Sequence, residues 1–238
     1  VTSLAAGSNN ITLTSTSTID EDTNDTTVDI TTSGTLTMTA QGAIGATSGT
    51  GELDLAVGTL VATTNAGGIF LLESSALIIG GTGVQTTANN AAIEITLTAG
   101  SLTLADDITA HGSGTVTLAV LGGDASLITG DTNDDIASTS GAISITADRL
   151  ALVTGTIASS GALTLQPNAT DESIGVSGGA GNFALSTGEI DLLTNGFSSI
   201  TIGRSDSTVL MTINADTFLD PITFRMGGGS GDITLTGG

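Results

Sequence analysis

The chain has 238 residues, with 24 Asp and Glu against three Arg and no Lys, for a formal net charge of −21; that excludes binding to a nucleic-acid backbone, which needs cationic side chains to displace counterions, and repels an anionic membrane surface. It contains 34 Gly, 39% hydrophobic residues and no Cys, Trp or Tyr, which excludes disulfides and thiolate metal sites and leaves enough apolar side chain to exclude ordinary disorder. The apolar residues are mostly Ala, Val, Ile and Leu set among Thr and Ser, a composition that suits a pleated surface better than a helix, so an all-β fold is expected.

In chain order, the opening VTSLAAGSNN has no basic region leading into an apolar stretch. It reads as following a removed signal peptide or as cut from a longer chain. The phrase ITLTS at 11–15 is the first strand, and TIDEDTNDTTVD at 18–29 is an acidic interruption before the next. Loops of this kind offer carboxylate and amide oxygens, the ligands that Ca²⁺ takes six to eight of. Asp20, Asp22, Asn24 and Asp25 are therefore candidate calcium ligands, with Glu21 among them.

From residue 34 one strand phrase recurs: GTLTMTA at 34–40, AIEITLTAG at 92–100, GTVTLAV at 114–120, GAISITA at 141–147. A turn former is followed by apolar residues at every second position, so one face is buried and the Thr or Ser face is solvated. GGIFLLESSALIIGG at 67–81 is interrupted by Glu73 and two Ser, too short and too polar for a membrane span. The leading apolar residues align as Leu36, Leu53, Ile69, Ile93, Val116, Ile143, Leu163, Phe183, Ile200, Ile222 and Ile233. Their spacing averages about 20 residues, the signature of a single-stranded parallel β-helix, or β-solenoid, in which each coil covers its neighbour's apolar interior. Such an interior has little room for a ring, in keeping with the scarcity of aromatics.

His111 is the only histidine, in a Gly-rich turn after Asp106 and Asp107. No Ser–His–Asp set can be built around it with any specificity. A second acidic group, Asp124, Asp131, Asn133, Asp134 and Asp135, adds Asp131, Asn133 and Asp135 to the candidate calcium ligands. Neither group has EF-hand spacing. Glycoside hydrolysis needs paired carboxyls, usually beside aromatic platforms that this composition cannot supply, so no enzyme is expected. The outward TxT pairs, such as Thr96 and Thr98, raise an ice-binding reading, which the uneven spacing of the phrases argues against.

From 161 onward the phrases become more individual: GALTLQPN, then GFSSITIGR at 196–204, then DPITF with a Gly-rich corner and DITLTGG. Residues 161–238 resemble the repeats of filamentous-haemagglutinin-like, β-strand-repeat exoproteins of bacteria. The resemblance implies a right-handed coil and a place on a very long secreted or cell-surface protein. The chain is expected to be one continuous solenoid over 1–238, with acidic first coils over 1–33, plain repeats over 34–160 and haemagglutinin-like repeats over 161–238. GDITLTGG lacks the cap that solenoid ends normally carry, so another coil is expected to follow, from the same chain or from a neighbouring subunit. The expected function is that of a non-catalytic extracellular fibre, sheath or adhesin stalk, self-associating end to end or laterally. The alternative is an adhesin segment whose corner loops bind a surface glycan or protein. No cofactor other than calcium is implied, and no nucleic acid or membrane span.

Overall fold

The computed structural model describes residues 3–21, 25–47, 51–130, 134–227 and 231–237. Apart from a single helical turn, its regular elements are strands of two to thirteen residues. The chain is an all-β, parallel β-solenoid. In the central coils three strands make one turn: Ile93–Leu97, Leu102–Leu104 and Ile108–His111, then Val116–Val120, Ser126–Thr129 and Ile136–Ser138 above them. Each strand lies in parallel register on its counterpart one coil away, Ile93 with Val116 and Ile143, Leu102 with Leu127 and Leu150, Ile108 with Ile136 and Ile157. Like stacks on like, and these inward residues are all buried, so every coil removes its neighbour's aliphatic surface from water.

The coil is longer than the phrase spacing suggests. One face runs through Ile19, Ile44, Ile69, Ile93, Val116, Ile143, Leu163, Ile200 and Ile222. The first four steps along it are 25, 25, 24 and 23 residues, read directly from those positions, so a coil takes about 24 residues rather than about 20. Leu36 instead stacks between Ile11 and Leu60 on another face, and Leu53 on Leu71. The same alternating phrase builds all three faces, so its recurrence marks strands and not turns of the solenoid.

The regular winding is interrupted between Leu163 and Ile200. From Leu163 the next rung is Ile200. Between them the strands Ile174–Val176 and Phe183–Leu185 pair side by side in a separate four-stranded sheet with Met211–Asn214 and Ile233–Thr236. Phe183 is fully buried there, which corrects the expectation that the interior has little room for a ring. The detour returns through the one-turn helix Thr187–Ile190. Ser186 and Glu189 form a capping box on that turn, and Glu189 Oε1 also accepts from the Leu152 N–H at 3.0 Å, tying it to the preceding coil.

The corners are held by inward-facing hydroxyls. Ser138 Oγ donates to the Gly114 carbonyl at 2.7 Å and accepts from the Gly141 N–H at 2.9 Å; Ser159 repeats this with the Gly141 carbonyl and the Gly161 N–H. Both serines are buried, so each satisfies backbone groups that water cannot reach.

Candidate functional site

The titratable groups that converge lie at a corner of the first coils. The chain leaves the face at Ile19, which bridges Ile44 of the next coil, and re-enters the ladder at Ile30, which stacks on Leu55. Thr27 N–H donates to Asp25 Oδ1 at 2.6 Å, and Glu21 N–H to Asp20 Oδ1 at 3.1 Å, local turns that short polar side chains make readily. In the following coil Leu53 and Leu55 point inward, so Asp54 between them points out. It is nevertheless only 2% exposed.

One carboxylate oxygen from each of Glu21, Asp25 and Asp54 lies within 4.8 Å of the others. The Asp54 Oδ2 atom is buried and has no hydrogen-bond partner among the described residues, and both Glu21 carboxylate oxygens are shielded from solvent. Asp29 stands beside them, its N–H donating to the Asp54 carbonyl at 2.9 Å. The Glu21 carboxyl is raised to about 6 by burial and then by the charges of Asp29 and Asp54, with the Asp25 backbone N–H opposing. Asp54 is raised to about 6 by burial and then by the charges of Asp29, Asp25 and Glu52. Both shifts have one physical origin: carboxyl groups are shielded from water among other negative charges.

Of the expected ligands in this stretch, Asp25 belongs to the cluster and Asp20 is spent on the Glu21 N–H. Asp22 and Asn24 lie outside the described residues. Asp54, from GELDLAV, reads in sequence as an ordinary outward strand residue, and so was missed. The 25-residue step that sets Ile30 over Leu55 is the signal that brings it beneath the acidic loop.

The second acidic group is used differently. Asp124 pairs with Arg149 at 2.6 Å on the surface. Asp134 Oδ2 accepts from the Gly130 N–H at 2.5 Å and from the Thr154 hydroxyl at 3.2 Å. Asp135 Oδ1 accepts from the N–H and hydroxyl of Thr156 at 2.6 and 2.9 Å, and its own N–H donates to Asp107 Oδ1 at 3.0 Å. These carboxylates pin one coil to the next. Asp131 and Asn133 lie outside the described residues.

His111 is tied by Nδ1 to the Thr86 carbonyl of the preceding coil and borders a shallow groove of about 420 Å³ with Thr109, Thr139, Ser160 and Asn195. The groove offers hydroxyls and an amide. Asp106 and Asp107 are turned instead to the backbone N–H groups of Asp107 and Asp135. Among the described residues no helix is long and apolar enough to cross a membrane. No protein-family model, no curated protein and no solved structure matches this chain.

Proposed function

We propose that this chain is a non-catalytic structural segment of an extracellular fibre, sheath or adhesin stalk, a stiff acidic rod whose copies join end to end. The observation that carries this reading is the register of the ladder. Like residues stack on like over successive coils, and that geometry resists bending and stretching through many parallel hydrogen bonds at once. The resemblance of residues 161–238 to haemagglutinin-like repeats supports a place outside the cell.

End-to-end joining is supported by the two outer strands. Among the described residues Ile11–Ser15 pairs only with the strand Ile30–Ala40, and Ile233–Thr236 only with Met211–Asn214. Both begin Ile-Thr-Leu-Thr. At the second edge Leu235 is 77% exposed, beside a cleft of about 520 Å³ lined partly by Phe218 and Phe224. A second copy laid in parallel register would stack Ile on Ile and Leu on Leu, continuing the inward-on-inward stacking of the ladder, and would bury these side chains in a heterologous contact that propagates.

Sedimentation of the purified chain across the micromolar range tests this. Large species that grow with protein concentration are expected, and more so in added salt, because screening weakens repulsion between bodies of net charge −21. Leu235→Lys places a charge in the junction at a solvent-exposed site and should abolish growth while leaving the fold intact. A monodisperse 23.1 kDa species throughout, or growth that Leu235→Lys does not alter, contradicts end-to-end assembly.

A further inference from the structure

We propose that Glu21, Asp25 and Asp54 form a binding site for a hard divalent cation, best fitted by Ca²⁺, which fastens the acidic loop of one coil to the strand of the next.

The first support is geometric. Three carboxylate oxygens that all lie within 4.8 Å of one another are near enough to close on one cation; Ca²⁺ accepts oxygens at about 2.3–2.6 Å in a flexible shell, whereas Mg²⁺ demands near-ideal octahedral geometry at about 2.0–2.1 Å. The donors are carboxylates only, which favours a hard cation over zinc or copper. Asp25 is exposed, so the site has a path to solvent, and water can complete the shell.

The second support is the state of Asp54. A carboxylate 2% exposed with Oδ2 unpartnered among the described residues is costly unless a positive charge meets it. One Asp54 carboxylate oxygen lies within 4.8 Å of oxygens of Glu21 and Asp25, neighbours that repel it in the absence of a cation. Among the described residues no cationic side chain is paired with it. The chain has no Lys, and its three Arg are Arg149, Arg204 and Arg225. Arg149 belongs to the coil that starts at Ile143, four ladder steps from the one that starts at Ile44 and carries Asp54, about 19 Å along the axis. That is about twice the screening length at physiological salt.

Glu21 and Asp54 are 33 positions apart and in different coils. The cation therefore joins Glu21 and Asp25 to the strand that carries Asp54, where the described contacts otherwise leave like charges facing one another.

Calorimetric titration of the full chain, stripped with a chelator and then given CaCl₂ at physiological ionic strength, tests the assignment. One saturable Ca²⁺ per chain is expected, with a rise in melting temperature on saturation. Glu21→Gln and Asp54→Asn should each weaken affinity at least tenfold and remove the thermal shift. Both substitutions relieve charge repulsion, so the variants should fold. Asp25→Asn, at an exposed position, gives a third reading of the same site. Asp206→Asn, at a surface carboxylate paired with Arg204, should titrate like the parent. Equal binding by parent and site variants, Mg²⁺ bound as tightly as Ca²⁺, or heat with no saturable stoichiometry would each overturn the assignment.

Discussion

Gly141→Ala is expected to destabilise the solenoid by about 3 kcal/mol, the upper part of the range for forced overpacking. The reason is close approach rather than backbone conformation. A methyl group on Gly141 would overlap the Gly114 carbonyl oxygen of the preceding coil and stand 2.8 Å from the Ser113 carbonyl oxygen. Both obstacles are main chain, so no rotamer change relieves them. The only escape is to spread the coils, and that stretches the bonds through which Ser138 and Ser159 join Gly114, Gly141 and Gly161. Gly161 meets the Gly141 carbonyl in the same way, so the strain is passed along the corner. Gly123→Ala is the control. A side chain there meets nothing within 4 Å and should be neutral or slightly stabilising through the unfolded state. The comparison is best made on urea midpoints, since long repeat arrays can lose two-state behaviour. Equal midpoints for the two variants would show that the corner is not packed as described.

Glu73→Ala is the second large effect. The Glu73 carboxylate is fully buried at the end of the strand Ile69–Glu73, where the chain turns. Its Oε2 accepts from the Val57 N–H of the preceding coil at 3.0 Å, and its Oε1 from the Ser75 N–H and hydroxyl at 2.8 and 2.6 Å. Removing it orphans two backbone donors, at about 1–3 kcal/mol each, and opens a void. Loss of the buried charge offsets part of this, so a net cost of roughly 2–5 kcal/mol is expected. Glu73→Gln keeps the shape but turns an amide N–H₂ toward one of the donors, and should fall between parent and Ala. The effect depends on pH. Burial holds the Glu73 carboxyl above its ordinary value, with its hydrogen bonds from Ser75 and Val57 opposing. The folded state therefore binds this proton more tightly than the unfolded state. Stability from that preference is fully present below the ordinary glutamate range and is lost as pH rises through the raised value. The difference between parent and Glu73→Gln should accordingly narrow from acid to neutral pH in midpoints measured at both. A difference that widens would mean that Glu73 is held as a favoured anion.

Much of the fold was legible because two-residue alternation is a direct record of which side chains face inward. Seven of the leading apolar residues, Ile69, Ile93, Val116, Ile143, Leu163, Ile200 and Ile222, do stack in one ladder. The coil length was not legible to the same degree. A phrase such as GTLTMTA looks the same whichever face it builds, and only pairing partners reveal that Leu36 and Ile69 belong to different columns. The detour at 174–193 left no periodic trace either, since Phe183 heads a phrase like any other yet pairs with Ile174. For the candidate site, the acidic loop was visible as composition, but its buried member was not. Asp54 alternates correctly with Leu53 and Leu55, and nothing local distinguishes a solvated outward carboxylate from one covered by a loop of the preceding coil. Glu73 shows the converse: in sequence it only interrupts an apolar run, whereas in the fold it closes a corner. Both residues take their character from a neighbour about one coil away.

The most direct measurement on the account as a whole is fibre diffraction from aligned assemblies of the purified chain, supported by electron micrographs of single filaments. A rod built by continuing the ladder from copy to copy predicts unbranched filaments with a reflection at about 4.8 Å along the filament axis, because the strands lie across that axis and repeat at the inter-strand spacing. Filaments with that spacing across the axis, or no filaments under conditions that keep the chain folded, would contradict it.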